Sequence, residues 1–246
     1  MKISATIITL NEEESLPRAL ASIPFCDEVV VVDSGSSDRT CEIAEQSGAR
    51  VFSRDWTGYA DQKNFAAESA SHDWILALDA DEEVNAGLRS SIEALQASGP
   101  EHAGYRFARL ARYLGRWIRH SGWYPDAKIR LYDRRQGRWH GDYVHESVSV
   151  EGSVGDLAGD LLHYTCESLD DHRRRVDRYT DLAARELIAS RRRVGLGQLL
   201  VSPPWAFLRS YVLQQGFRDG PEGLLIARMA ASYTYSKYAK ARALQT

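Results

Sequence analysis

Short apolar runs alternate with polar, loop-forming clusters through the first hundred positions of the chain. Residues 4–10 form a β-branched run that stops at Asn11-Glu12-Glu13-Glu14, the pattern of a buried parallel strand. Residues 15–23 read as a helix with Leu16, Leu20 and Ile23 on one face. A second apolar strand, 29–32, ends at Asp33-Ser34-Gly35-Ser36-Ser37-Asp38. A helix over 40–48, a strand over 49–52 and a helix over 61–70 follow. The run 74–78 is a further strand and ends at Asp79-Ala80-Asp81-Glu82. This β-then-α repetition predicts an α/β fold with a doubly wound, mostly parallel sheet. Such sheets bind ligands beyond the carboxyl ends of their strands, where helix N-termini also gather. The clusters at Thr9-Leu10-Asn11-Glu12, Asp33-Ser34-Gly35 and Asp79-Ala80-Asp81 all fall at that edge.

The pattern then changes. From about 103 to 165 it predicts short strands rich in aromatics, at 104–107, 128–132 and 145–150, as a mixed-sheet extension covering the ligand edge. Residues 170–190 read as a long helix with Val176, Tyr179, Leu182, Ala183 and Leu187 in one stripe. An apolar stretch, 199–213, is expected to be broken by Pro203 and Pro204. A last helix is expected over 223–240. The expected organisation is a ligand-binding α/β half (1–102), acceptor-side mixed strands of the same domain (103–165) and a C-terminal helical extension (166–246).

Composition narrows the classes. With 246 residues, 43% hydrophobic and 26% charged, the chain is long and apolar enough for a core and is neither disordered nor fibrous. Its three cysteines, Cys26, Cys41 and Cys166, show no CxxC spacing, against a disulfide scaffold or structural zinc. No apolar run approaches a transmembrane length and no signal-peptide pattern opens the chain, so a cytoplasmic location is expected. The net charge of −3 hides an asymmetry: residues 1–165 carry −9 and residues 166–246 carry +6. The basic part is either a solvated helical face or a surface for a polyanion or anionic membrane.

No GxGxxG follows the first strand and no GxxxxGK[ST] occurs, which removes the main support for dinucleotide and P-loop binding. Asp79-Ala80-Asp81 is the sharpest local signal. Two carboxylates at a strand end can hold Mg²⁺ or Mn²⁺ together with a ribose hydroxyl, although an isolated Asp-x-Asp is also common in turns.

Residues 7–13, 31–40 and 74–82, taken together, resemble glycosyltransferase family 2, which has the GT-A (Rossmann-like) fold. Gln62-Lys63-Asn64, Arg130-Leu131-Tyr132, Val144-His145-Glu146, His163-Tyr164-Thr165 and Gly216-Phe217-Arg218-Asp219-Gly220 are similar to the bacterial lipopolysaccharide inner-core β-glucosyltransferases. The resemblance runs over nearly the whole chain. It implies an inverting transfer of a hexose, glucose from UDP-glucose, to a heptose hydroxyl of a glycolipid, with a divalent cation and no nucleic-acid partner.

Carried over residue by residue, the resemblance sets Thr9, Asn11 and Glu12 along the uridine and Asp33 on the uracil N3–H. Lys63 lies near the nucleotide or else is a helix-surface charge. Asp79 reaches the ribose and Asp81 coordinates the metal, with His163 as a further ligand or a structural histidine. Glu146 is the candidate base, a role for which a partly desolvated carboxylate suits. The family often has a Glu-Asp pair where this chain has His145-Glu146, so His145, Asp126 and Asp142 stay open as alternatives or helpers. Trp123 and Tyr124, with Trp117 and Trp139, offer aromatic faces to sugars or fill a core. Arg130 suits an acceptor phosphate. Arg173-Arg174-Arg175, Arg191-Arg192-Arg193 and the stretch 203–211 suggest contact with an anionic bilayer.

Rival classes are weaker. A sugar nucleotidyltransferase wants a basic glycine-rich loop where this chain has Asn11-Glu12-Glu13-Glu14. A non-catalytic nucleotide-sugar or glycolipid-binding module needs neither the acidic pair nor a base, and both are present. No recognisable nucleic-acid-binding motif accompanies the basic half.

Overall fold

Valine, isoleucine and leucine saturate the central strands because these are covered on both faces, and burial of that surface drives their association. The computed structural model describes residues 1–141, 146–166, 168–190 and 194–245. In its first half β1 (Ile3–Thr9), α1 (Leu16–Ala21), β2 (Glu28–Asp33), α2 (Thr40–Gln46), β3 (Arg50–Ser53), α3 (Tyr59–Ser69) and β4 (Trp74–Asp79) alternate as the pattern predicts. They are followed by β5 (Glu82–Val84), α4 (Ala86–Ser98), β6 (Gly104–Tyr113), β7 (Arg116–Trp117), β8 (Lys128–Asp133), β9 (Gly137–His140), β10 (Ser147–Val150) and β11 (Val154–Cys166). Helices α5 (Leu169–Ala189), α6 (Leu196–Leu208) and α7 (Gly220–Ala243) end the chain; a π-helical turn (Arg209–Leu213) and a 3-10 turn (Gly216–Asp219) join the last two.

The main sheet has the order β3-β2-β1-β4-β8-β6-β11-β5, with β7 paired to β6. Strands β3, β2, β1 and β4 are parallel, whereas β8 is antiparallel to both β4 and β6, and β11 is antiparallel to β5. Strands β9 and β10 form a separate hairpin. The parallel part and the mixed extension are those expected. However, β6 spans ten residues rather than four, and β11, thirteen residues long, falls where no strand was expected.

Met1–Arg109 and Asp126–His163 form one compact unit, Leu110–Pro125 and Tyr164–Thr246 another. The first has a core on each side of its parallel strands. One contains Ile3, Ile7, Leu16, Leu76, Leu88 and Ile92; the other contains Val30, Val32, Ile75, Tyr132 and Trp139.

In the second unit α7 packs against α5 and α6. Asp219, in the Gly-Phe-Arg-Asp-Gly motif, is buried and accepts from the backbone N–H groups of Arg119 and His120 at 3.2 and 2.9 Å and from the His120 ring at 2.9 Å. Gly223 lies so close to the Gly216 carbonyl that a Cβ would stand 1.9 Å from it. The motif is thus a packing joint between the 3-10 turn and α7. Pro203 and Pro204 do not end α6, contrary to expectation: the helix continues through both to Leu208, although neither can donate to the preceding turn.

Candidate functional site

The parallel register decides which polar residues meet. Thr9 is level with Asp33, and Ile8 with Asp79, so the loops after β1, β2 and β4 emerge side by side. The first two loops are laced together. Asn11, held at φ 55° as asparagine tolerates, accepts from the Ser37 N–H at 2.8 Å, and its own N–H donates to Ser36 Oγ at 2.8 Å. The Glu12 N–H donates to Thr40 Oγ1 at 2.8 Å.

Asp33 is buried and its acceptor capacity is filled. Oδ1 takes the Thr9 and Ser36 hydroxyls, and Oδ2 takes the N–H groups of Gly35 and Ser36 at 2.9 and 2.8 Å. Burial pushes this carboxyl up, but the donors from Ser36, Gly35 and Thr9 outweigh it and hold it below the usual range. In this geometry Asp33 braces the loop. A uracil N3–H would share or displace one of these donors.

Beside this loop lies a buried ion cluster. Lys63, on α3, is buried, so the helix-surface reading fails. Its Nζ lies 2.7 Å from Asp79 Oδ1 and 3.3 Å from Glu146 Oε1, and 4.4 Å from the Trp139 ring centroid. Arg130, on β8, donates from Nη2 to Asp79 Oδ2 at 2.8 Å and to Glu82 Oε1 at 2.9 Å. Burial pushes the Asp79 carboxyl up, yet the charges of Arg130 and Lys63 prevail and hold it well below the carboxylate range. Burial lowers Arg130 in turn, and Asp79 and Glu82 overcome that and raise it. Arg130 is therefore not a surface receptor for an acceptor phosphate: it is buried, and it neutralises two carboxylates in the interior.

Glu82 was not singled out in the sequence. It is fully buried, accepts from the Asp79 N–H at 2.9 Å and from Arg130, and lies 3.4 Å from Arg109 Nη1. Its position three residues beyond Asp79 was the available signal, since a carboxylate that close can cap the strand end.

Asp81 points elsewhere. Its Oδ2 lies 3.2 Å from His163 Nε2, and both side chains are partly exposed, 27% and 15%. The pairing of β11 with β5 sets His163 opposite Glu82, next to Asp81. Among the described residues no group of three His, Cys, Asp or Glu side chains is arranged to hold a metal ion. The Asp81–His163 pair nevertheless fits two neighbouring positions on one ion: ligands about 2.1 Å from an octahedral cation are about 3 Å apart along an edge. A carboxylate with an imidazole is also a donor set that Mg²⁺ or Mn²⁺ accepts.

The other candidates divide. Asp126 is held by Arg109 at 2.6 Å and Lys128 at 3.0 Å; burial raises its carboxyl, and Lys128 and Arg109 more than reverse this. Trp123 and Tyr124 belong to the second unit. There the Trp123 ring meets Tyr113 edge-on at 5.5 Å and Tyr124 lies beneath Arg119 at 5.3 Å. Trp139 is a core residue, and Trp117 meets Tyr164 edge-on. His145 and Asp142 lie outside the described residues.

The strand ends of the parallel half thus bring together an acidic doublet, a histidine from β11 and a buried lysine from α3, at the edge where such sheets bind ligands. The profile described as "Glycosyl transferase family 2" matches residues 4–150, and the chain belongs to that family. It is 34% identical to the lipopolysaccharide core biosynthesis glycosyltransferase LpsC of Rhizobium meliloti, over 98% of this chain and 92% of that protein. It is 31% identical to an uncharacterized glycosyltransferase of Rickettsia typhi, over 99% of this chain and 87% of that one. Glucosyl-3-phosphoglycerate synthase of Mycobacterium tuberculosis, solved with Mn²⁺, UDP and its product, is 25% identical over 45% of this chain and 44% of that chain, with a TM-score of 0.37. The protein is thus a glycosyltransferase. No helix among its described residues is long and apolar enough to cross a membrane.

Proposed function

We propose that the protein is an inverting hexosyltransferase that moves a hexose, glucose in the first instance, from a UDP-sugar to a hydroxyl of a lipopolysaccharide-core glycolipid such as an inner-core heptose. The observation that carries this reading is the position of Glu146. It shares the buried Lys63 ammonium with Asp79, which puts a partly buried carboxylate one cation away from the strand-end acidic pair. The near-full-length similarity to a lipopolysaccharide core biosynthesis glycosyltransferase supports the acceptor class. The donor follows from the resemblance of the strand-end motifs.

In this reading Thr9, Asn11, Glu12 and the loop braced by Asp33 line the nucleoside, and Asp79 accepts from the ribose. Asp81 and His163 would hold a divalent cation, which when bound would supply positive charge to offset that of a departing diphosphate. Glu146 accepts the proton of the acceptor hydroxyl as its oxygen bonds to the anomeric carbon. The bond from that carbon to the diphosphate breaks and UDP leaves with the electron pair. Asp126, held by Arg109 and Lys128, is the alternative base.

The test is UDP release from a panel of UDP-sugars, with lipopolysaccharide-core lipid extract as acceptor, with Mn²⁺ or Mg²⁺ and with EDTA. Cation-dependent release from UDP-glucose that needs the acceptor is expected. No release from any UDP-sugar overturns the donor assignment, and release unaffected by EDTA overturns the cation.

A further inference from the structure

Helix α6 reads Leu-Gly-Gln-Leu-Leu-Val-Ser-Pro-Pro-Trp-Ala-Phe-Leu and contains no charged residue. One side packs on α7 and buries Pro203. The rest is an apolar face open to solvent: Leu200 is 68% exposed, Val201 67% and Trp205 53%, and the face continues through Leu208. The π-helical turn prolongs it with Val212 and Leu213, 47% and 59% exposed, and Phe217 follows. Positions 201, 205, 208 and 212 recur at helical spacing, so these side chains share a face. Single exposed apolar residues are ordinary on soluble proteins, whereas an unbroken run of them marks a docking surface.

Charge identifies what docks. Between Glu186 and Asp219 the sequence has no acidic residue and five arginines. Two of these, Arg209 and Arg218, lie at the end of the face and are exposed. An apolar helix face with cationic flanks complements a surface that is apolar beneath a layer of negative charge. Thirteen residues reach about 20 Å, too short for a bilayer core of about 30 Å. The carbonyls of Leu199 and Leu200 cannot receive the usual helical N–H from Pro203 and Pro204, which makes immersion in hydrocarbon costly. Both points favour a helix lying at headgroup level over one immersed in hydrocarbon.

We propose that this face of α6, continued by Val212, Leu213 and Phe217 and flanked by Arg209 and Arg218, docks into the interface of a phospholipid bilayer containing anionic lipid. The proposal does not depend on the donor or the metal.

The test is flotation of the full chain with vesicles of phosphatidylcholine, with and without phosphatidylglycerol. The unaltered protein is expected to float with the anionic vesicles, more weakly as salt is raised. Val201→Glu with Trp205→Glu should weaken partitioning about tenfold or more. Arg209→Gln with Arg218→Gln should remove the preference for phosphatidylglycerol. Circular dichroism checks folding, and Leu200→Ser with Leu213→Ser replaces the glutamate pair if that variant misfolds. Three results overturn the proposal: no flotation of the unaltered chain at low salt, equal flotation of the apolar-face variant, or equal flotation on both vesicle types. A dimer in light scattering that the apolar-face variant dissociates, with flotation unchanged, assigns the face to a second copy instead.

Discussion

At the scale of single residues, the strand end after β4 separates two carboxylates that read as one motif. Asp79 is paired with Lys63 and Arg130, while Asp81, two positions on and equally exposed, lies beside His163. Asp79 is thus engaged by two cationic side chains, and the proposed cation site falls to Asp81. Asp81→Asn keeps the shape and removes the charge. It is expected to cut cation-dependent turnover about a hundredfold or more, with an unchanged far-UV circular dichroism spectrum; turnover near that of the unaltered protein would remove Asp81 from the metal site. Glu146→Gln leaves Lys63 its partner Asp79, so the local fold should hold. Turnover should fall by about 10²–10⁴ with little change in UDP affinity by calorimetry, and equal loss of both would mark Glu146 as a nucleotide contact instead.

At the scale of elements, the parallel half was legible because buried strands announce themselves as short β-branched runs ending in polar loops. Several later elements were not. Helix α4 carries Leu88, Ile92 and Leu95 on one face and Asn85 as its N-cap, accepting from the Leu88 N–H at 2.8 Å, and both signals are present in the sequence. Strand β5 has only three residues, too few for a period. Strand β11 is interrupted by Gly155, Asp156, Gly159 and Asp160, which look like turn residues. Their presence has a packing cause at Gly159: at φ +105°, a Cβ there would lie 2.1 Å from the Leu88 backbone nitrogen, where α4 crosses. Cooperation between these two elements also fixes the strand that carries His163, so part of the candidate metal pair rests on contacts invisible to periodicity. The ion cluster stayed hidden likewise, because Lys63, Glu82 and Arg130 meet from three separate elements. Gly159→Ala should destabilise the fold by more than about 2 kcal/mol in urea unfolding, whereas a loss of a few tenths would mean that the two elements can separate at little cost.

At the scale of the whole molecule, the parallel sheet has a working end and a locking end. Opposite the strand-end loops, Glu28 ties three strands and the turn before β4: it accepts from Ser4, Arg50 and both the backbone and hydroxyl of Ser71. Burial alone would raise its carboxyl, but the donors from Ser4, Ser71 and Arg50 bring it down from 4.5 to about 2. Asp133, held chiefly by Arg135, is lowered as well. A carboxylate whose folded value is depressed contributes stability that is present above its unfolded value and is lost as pH falls toward the folded one. For Glu28 the window is 4.5 down to about 2. Over the same range the chain gains net positive charge, since its 31 Lys and Arg remain charged while acidic groups are neutralised. The urea midpoint is therefore expected to fall steeply as pH drops below about 4.5. Glu28→Gln separates the lock from general charge repulsion: it should be less stable than the unaltered protein at pH 7, and the two midpoints should converge as pH approaches 2. A constant gap between them across that range would show that Glu28 acts by packing and hydrogen bonding rather than through its charge.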